Sequence, residues 1–168
     1  PETMEEASLT ISTELTNHSK SDIECTIHGS IDDIMFTQDI SLESGETRKV
    51  IFSPENYQEL NIDNPRIWWP NHLGTPELYT MEMNVSLGRN ISDQAAVRFG
   101  IRDVKDYINE NGHRGYKING KKVQIMGGGW VDDVLLADPD EKIDAQLNYV
   151  KEMNLNTIRL EGFWGRNK

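Results

Sequence analysis

Apolar and polar positions alternate along the first hundred residues in short runs. Leu9, Ile11, Thr13 and Leu15 are separated by polar neighbours, and Ile23, Cys25, Ile27 and later Ile31 repeat the pattern. A period of two predicts strands with one buried face. Polar turns are expected at 17–22, at 29–33 and at Glu43-Ser44-Gly45-Glu46, the last joining a hairpin between Ile40/Leu42 and Val50/Phe52. Residues 53–75 are irregular, punctuated by Pro54, Pro65 and Pro70, with Pro76 just beyond. Alternation resumes over 78–87, turns at Gly88-Arg89-Asn90, and returns over 91–104. Seven or so short strands at this spacing predict a two-sheet antiparallel sandwich. Its core is expected to bury Leu9, Ile11, Ile23, Cys25, Ile27, Leu78, Val85 and Phe99.

The pattern then changes. Asn119-Gly120, flanked by Tyr116-Lys117-Ile118 and Val123-Gln124-Ile125, is the strongest hairpin signal in the chain. Gly127-Gly128-Gly129-Trp130 follows. Asp138 reads as a helix N-cap, with Pro139 at the first helical position and Glu141 closing a capping box. Ile143, Leu147 and Val150 share one helical face, which Met153 extends, and Asn154-Leu155-Asn156 ends the helix. Thr157-Ile158-Arg159-Leu160 is a short strand, so strand, helix and strand form a βαβ unit with parallel strands.

Composition sharpens this division. Residues 1–104 hold 7 Lys/Arg and 18 Asp/Glu, while residues 105–168 hold 10 of each. The overall charge of −11 argues against nucleic acid as a partner. The 36% apolar content is enough for a core. Cys25 is the lone cysteine, which excludes an internal disulfide and suits a small buried residue. No run approaches 18 apolar residues, so no membrane span is expected. The chain opens on Pro1 and stops soon after a strand-like run, so it reads as a piece of a longer protein, and the lack of a signal peptide says nothing of the whole. Asn17-His18-Ser19, Asn84-Val85-Ser86 and Asn90-Ile91-Ser92 fit the glycosylation triplet, a pattern common by chance. His18, His28, His72 and His113 have no ligand spacing, so neither a metal nor another cofactor is expected.

Three stretches together resemble family 2 glycoside hydrolases. They are Asn64-Pro65-Arg66-Ile67-Trp68-Trp69-Pro70-Asn71-His72-Leu73-Gly74 with Pro76-Glu77-Leu78-Tyr79; Arg98-Phe99-Gly100-Ile101-Arg102; and Ile118 to Val123 with Gly127 to Trp130 and Leu155-Asn156-Thr157-Ile158-Arg159-Leu160-Glu161-Gly162. Their order and spacing carry the resemblance across nearly the whole chain. The Arg-Leu-Glu-Gly ending looks most like the exo-β-glucosaminidase and β-mannosidase-like branch. The resemblance implies an immunoglobulin-like β-sandwich over 1–104 and, over 105–168, the start of a (β/α)8 TIM barrel. It also implies an extracytoplasmic parent, periplasmic or secreted, and a retaining exo-acting β-glycosidase whose two catalytic carboxylates come from later barrel strands. Residues 105–168 supply two strands of the eight that a barrel of about 250 residues needs. The chain is therefore expected to be an inactive fragment. Its partners would be a carbohydrate bound through the complete barrel and the rest of the parent chain packed on the barrel edge.

Trp130, Asp132, Asp133, Arg159, Glu161 and Trp164 fall at or beyond the C-terminal ends of barrel-type strands, where such barrels place their sites. They are the candidate substrate-binding residues; the competing reading is ordinary solvated loops. By resemblance, Arg159 orients the nucleophilic carboxylate, a task suited to a bidentate guanidinium. Glu161, two residues on and on the same side of the strand, would hold the ammonium of an amino sugar better than it holds a hydroxyl. Trp68, Trp69 and Tyr79 are either a sugar-stacking platform or anchors of an irregular loop. Arg98 and Arg102 read as solvated or pairing residues, and the glycine run as close strand packing rather than a phosphate cradle. The alternative function is a non-catalytic carbohydrate-binding or adhesin module, which the βαβ unit disfavours.

Overall fold

The structure, a computed structural model, describes residues 4–131 and 138–160. The chain forms two compact units: Pro1–Ile67 with Glu77–Ile101, and Trp68–Pro76 with Arg102–Lys168.

The first unit contains β1 (Glu6–Ser8), β2 (Ile11–Thr16), β3 (Ile23–Ile31), β4 (Ile34–Leu42), β5 (Thr47–Phe52), β6 (Asn61–Asp63), β7 (Tyr79–Leu87) and β8 (Asn90–Phe99). An antiparallel sheet in the order β4-β3-β7-β8 shares a core with the antiparallel pair β2-β5, and β1 pairs with β6. The alternation works as expected: Cys25, Ile27 and Ile31 of β3 point inward with Phe36, Ile40 and Leu42 of β4, against Ile11, Val50 and Phe52 of the facing pair. The Phe36 and Phe52 rings meet across the interior at 4.8 Å between centroids. Burying a ring such as Phe52 contributes about 1.5–3 kcal/mol. The unit is a mainly β, antiparallel sandwich.

Some details differ from the sequence expectation. Of the eight expected core residues, Ile11, Cys25 and Ile27 are buried; Leu9, Ile23, Val85 and Phe99 are half-buried against the core. Leu78 is 42% exposed. Strand β7 begins one residue later, and Tyr79 takes the inward position, so its neighbour must face out. The turn expected over 29–33 contracts to Asp32-Asp33, because Gly29 stays in β3 opposite Phe36. A Cβ on Gly29 would lie 2.0 Å from the Phe36 ring, so the missing side chain makes room for the aromatic. The run expected over 91–104 ends at Phe99, where Ile101 leaves the ladder for a parallel bridge to Ile67.

The second unit contains β9 (Val104–Ile108), β10 (Arg114–Ile118), β11 (Lys121–Val123), β12 (Gly127–Trp130), α1 (Asp140–Glu152) and β13 (Thr157–Leu160). Strands β9, β10 and β11 form an antiparallel meander. Asn119 and Gly120, at φ 49° and 78°, make the two-residue β10–β11 turn, which demands two left-handed residues. Strands β12 and β13 pair in parallel on either side of α1, the βαβ arrangement read from sequence. The helix starts one residue later than expected. Pro139 is the N-cap, extended at ψ 151°, no side chain caps it, and Asp138 instead pairs with Lys142 at 3.2 Å. Asn154, at φ 62°, turns the chain out of the helix as expected of asparagine.

Candidate functional site

Of the six candidate residues, Trp130 and Arg159 are described; Asp132, Asp133, Glu161 and Trp164 lie outside the described residues. Trp130 and Arg159 come together at the C-terminal ends of two adjacent parallel strands, where Gly129 pairs with Arg159 and Trp130 with Leu160. Pleating places Gly129 and Arg159 on one face, and Gly128, Trp130, Ile158 and Leu160 on the other.

Helix α1 covers the second face. Ile158, Leu147 and Val150 line one cavity of about 240 Å³ together with Trp130 and Gln146. The indole Nε1–H of Trp130 donates to Gln146 Oε1 at 2.9 Å. Trp130 is thus turned toward α1, while Arg159 stands exposed on the opposite face. Glycine is required at the base of β12: a Cβ on Gly127 would lie 1.8 Å from the Thr157 carbonyl oxygen. Gly128, by contrast, has nothing within 4 Å. Close strand packing was expected of the run at the top of the strand; it is Gly127, at the start of the strand, that brings the two backbones together.

Three asparagines stitch this unit. Asn156 Oδ1 accepts from Met126 N at 3.0 Å and its amide donates to the Gln124 carbonyl at 2.9 Å, clamping the entrance to β12 beside β13. Asn71 donates to the Lys151 and Leu155 carbonyls, both at 3.2 Å, bridging the last turn of α1 and the segment that leaves it. Asn119, buried, accepts from Asp103 N and donates to the Trp68 carbonyl, both at 2.9 Å. Sequence reasoning marked Asn119 only as a turn residue and did not single out Asn71, Gln146 or the clamp of Asn156. Two adjacent left-handed positions were the one available signal, and only for Asn119.

The two readings of Trp68, Trp69 and Tyr79 separate here. Arg102 stacks on Trp68 with its guanidinium carbon 4.5 Å from the ring centroid, and Lys121 Nζ sits 4.8 Å from the centroid of Trp69. Gly74 packs so closely on Trp69 that a Cβ would lie 2.7 Å from the ring. Tyr79 is buried, stacks on Phe99 at 5.5 Å and accepts the Arg66 backbone N–H at 2.7 Å. All three rings are engaged as anchors. Arg102 is thereby a packing residue, while Arg98 lies exposed on β8 opposite Thr80.

No group of three or more His, Cys, Asp or Glu that could hold a metal occurs among the described residues. His28 contacts Thr37 and Ser86 at 3.4 and 3.3 Å on the exposed face of the large sheet. No helix among the described residues is long and apolar enough to cross a membrane.

Residues 1–102 match the family model of glycosyl hydrolases family 2. An exo-β-D-glucosaminidase of Streptomyces avermitilis is 37% identical over 156 residues, 93% of this chain and 17% of that protein. A mannosylglycoprotein endo-β-mannosidase of Lilium longiflorum is 30% identical over 165 residues, 90% of this chain and 16% of its own length. The crystal structure of the Amycolatopsis orientalis exo-chitosanase superposes with a TM-score of 0.85 at 32% identity, over 97% of this chain and 19% of that one. A Bacteroides uniformis β-glucuronidase shares the fold, with a TM-score of 0.83 at 23% identity. The chain spans less than a fifth of the length of these relatives. With a family match over more than half its length, the chain belongs to glycosyl hydrolases family 2.

Proposed function

We propose that this chain is part of a retaining, exo-acting β-glycosidase that removes glucosamine from the non-reducing end of its substrate. The observation that carries this is the parallel pair β12–β13, joined through α1 and carrying Arg159 near its C-terminal end, within a chain similar to exo-β-D-glucosaminidases along 93% of its length. On this reading residues 1–104 are an immunoglobulin-like sandwich domain and 105–168 open a TIM-barrel catalytic domain. The barrel's active site gathers at the C-terminal strand ends. A retaining mechanism uses two carboxyl groups about 5–5.5 Å apart, one as nucleophile and one as acid/base. Both come from strands beyond this stretch, so residues 1–168 by themselves hydrolyse nothing.

Arg159 orients the nucleophile and keeps it ionised through bidentate hydrogen bonds. Glu161 holds the C2 ammonium of the sugar; Asp132, Asp133 and Trp164 complete the wall around it, and Trp130 supports the strand end from behind. A charge-assisted hydrogen bond contributes about 1.5–3 kcal/mol, roughly a ten- to hundredfold preference for amine over hydroxyl. The second reading, a β-mannosidase-like enzyme, draws on the Lilium relative.

The experiment is kinetic. The full-length protein and its Glu161→Gln variant are assayed on p-nitrophenyl β-D-glucosaminide and β-D-mannoside. Glucosaminidase activity should dominate and fall selectively in the variant. Equal losses on both substrates, or a loss on the mannoside alone, would remove the amine-reading role.

A further inference from the structure

Strand β12 reads Gly-Gly-Gly-Trp, so Trp130 is its one side chain. A glycine strand loses more conformational entropy on ordering than any other and offers nothing to pack. Backbone pairing with β13 runs the length of the strand, and the Asn156 clamp secures the approach to its N-terminal end. At the C-terminal end, beside Arg159, the side-chain tie is the Trp130 indole on α1.

That tie has directional chemistry. An indole N–H only donates, and a half-buried one needs an acceptor. Gln146 Oε1 supplies it at 2.9 Å from the middle of α1, and both side chains are half-buried. Leu147 and Val150 line the same cavity as Ile158, so the helical face turned to the strand also presents the acceptor. A leucine at 146 would suit the apolar neighbours and the helix equally well, yet would leave the indole N–H without this partner.

We infer that Gln146 is a positioning residue: by accepting the Trp130 N–H it pins the C-terminal end of β12 to α1 and holds that strand in register beside Arg159. The latch stands on geometry alone, while its consequence for sugar binding rests on the glycosidase reading above. Trp130 then acts from behind the strand, with its indole on the α1 side and Arg159 on the other.

The test uses the full-length protein with Gln146→Leu, Trp130→Phe, the double variant and Gln146→Glu, whose carboxylate still accepts a hydrogen bond. Amide hydrogen exchange is followed in peptides spanning 127–131 and 140–152. Either single change should speed exchange at 127–131 about tenfold while α1 stays protected. The double variant should be no faster than the singles, because one interaction is removed once. Gln146→Glu should stay near wild type. In parallel, KM for p-nitrophenyl β-D-glucosaminide should rise about three- to tenfold in Gln146→Leu with kcat nearly unchanged, since the loosened strand leads into Asp132 and Asp133 of the proposed sugar wall, while Arg159 belongs to the partner strand β13. Unchanged exchange at 127–131 in Gln146→Leu, or multiplying effects in the double variant, would overturn the latch. Faster exchange with an unchanged KM would overturn the positioning role. A wild-type protein that turns over no β-glycoside would remove the glycosidase reading instead, with exchange still deciding the latch.

Discussion

The side-chain amide of Asn119 donates to the carbonyl of Trp68 at 2.9 Å, across 51 positions of sequence. The same side chain accepts the Asp103 N–H, and its own backbone sits in the left-handed region at φ 49°. Asn119→Ala strips both bonds from a buried site and places a Cβ-bearing residue without asparagine's local support there. It should cost about 2–4 kcal/mol, read by urea unfolding. Asn119→Gly keeps the backbone at ease and isolates the hydrogen-bond contribution. Equal stability of the two variants would show that the backbone conformation contributes nothing.

Neighbouring glycines of β12 should respond oppositely. Gly127→Ala drives a methyl into the Thr157 carbonyl, backbone that can yield only by separating the strands. A loss of about 3 kcal/mol or more is expected. Gly128→Ala meets open space and should be neutral or gain up to about 1 kcal/mol from reduced unfolded-state freedom. Paired thermal melts check this; equal effects would refute the close approach.

Cys25 should be nearly inert. Burial, and secondarily the negative charge of Asp39, push its thiol above the usual range, so little thiolate forms near neutral pH. Reaction with a thiol reagent at pH 8 should be at least about tenfold slower in the folded protein than in urea. Comparable rates would place the thiol at the surface.

The three Asn-x-Ser triplets are not equivalent. Asn17 is buried, and its amide donates to the Ser21 and Glu43 carbonyls at 2.9 Å and that of Leu42 at 3.3 Å. Asn90 is exposed beside the β7–β8 turn. Protein secreted from yeast should carry glycan at Asn90 and none at Asn17, as mapped by mass spectrometry after endoglycosidase treatment. A glycan on Asn17 would contradict its buried hydrogen bonds.

The legible parts of this fold are those where burial repeats with a period. Ile23, Cys25 and Ile27 announced β3, and Asn119-Gly120 announced a turn that backbone sterics reserve for few residues. Leu78 misled because an apolar residue just before a strand looks like its first member, while pleating gives the inward place to Tyr79. Helix α1 was readable as a helix, yet its cap moved by one residue to Pro139, with Asp138 pairing with Lys142 one turn on. Gln146 and Asn71 were invisible because their partners lie 16 and 80 positions or more away, and no periodicity marks a polar residue that works at such a distance. Arg159 stood out by resemblance and by its place at a strand end; its companions Asp132, Asp133, Glu161 and Trp164 fall outside the described residues.

The nine residues 68–76 pack with a unit whose remaining sequence starts at Arg102. On a ribosome this is a matter of timing. Trp68 and Trp69 emerge well before Arg102 and Lys121, the cations that cover them, and before the Lys151 and Leu155 carbonyls that Asn71 engages. At about 5–20 residues per second, completing β13 takes roughly 4–16 s after residue 76 appears. For that interval the nascent chain presents two bare indoles on a tether, a natural hold for a chaperone. The same interleaving means that no single proteolytic cut parts the two units cleanly: a cut after Ile101 leaves residues 68–76 with the first unit, and a cut after Ile67 leaves residues 77–101 with the second.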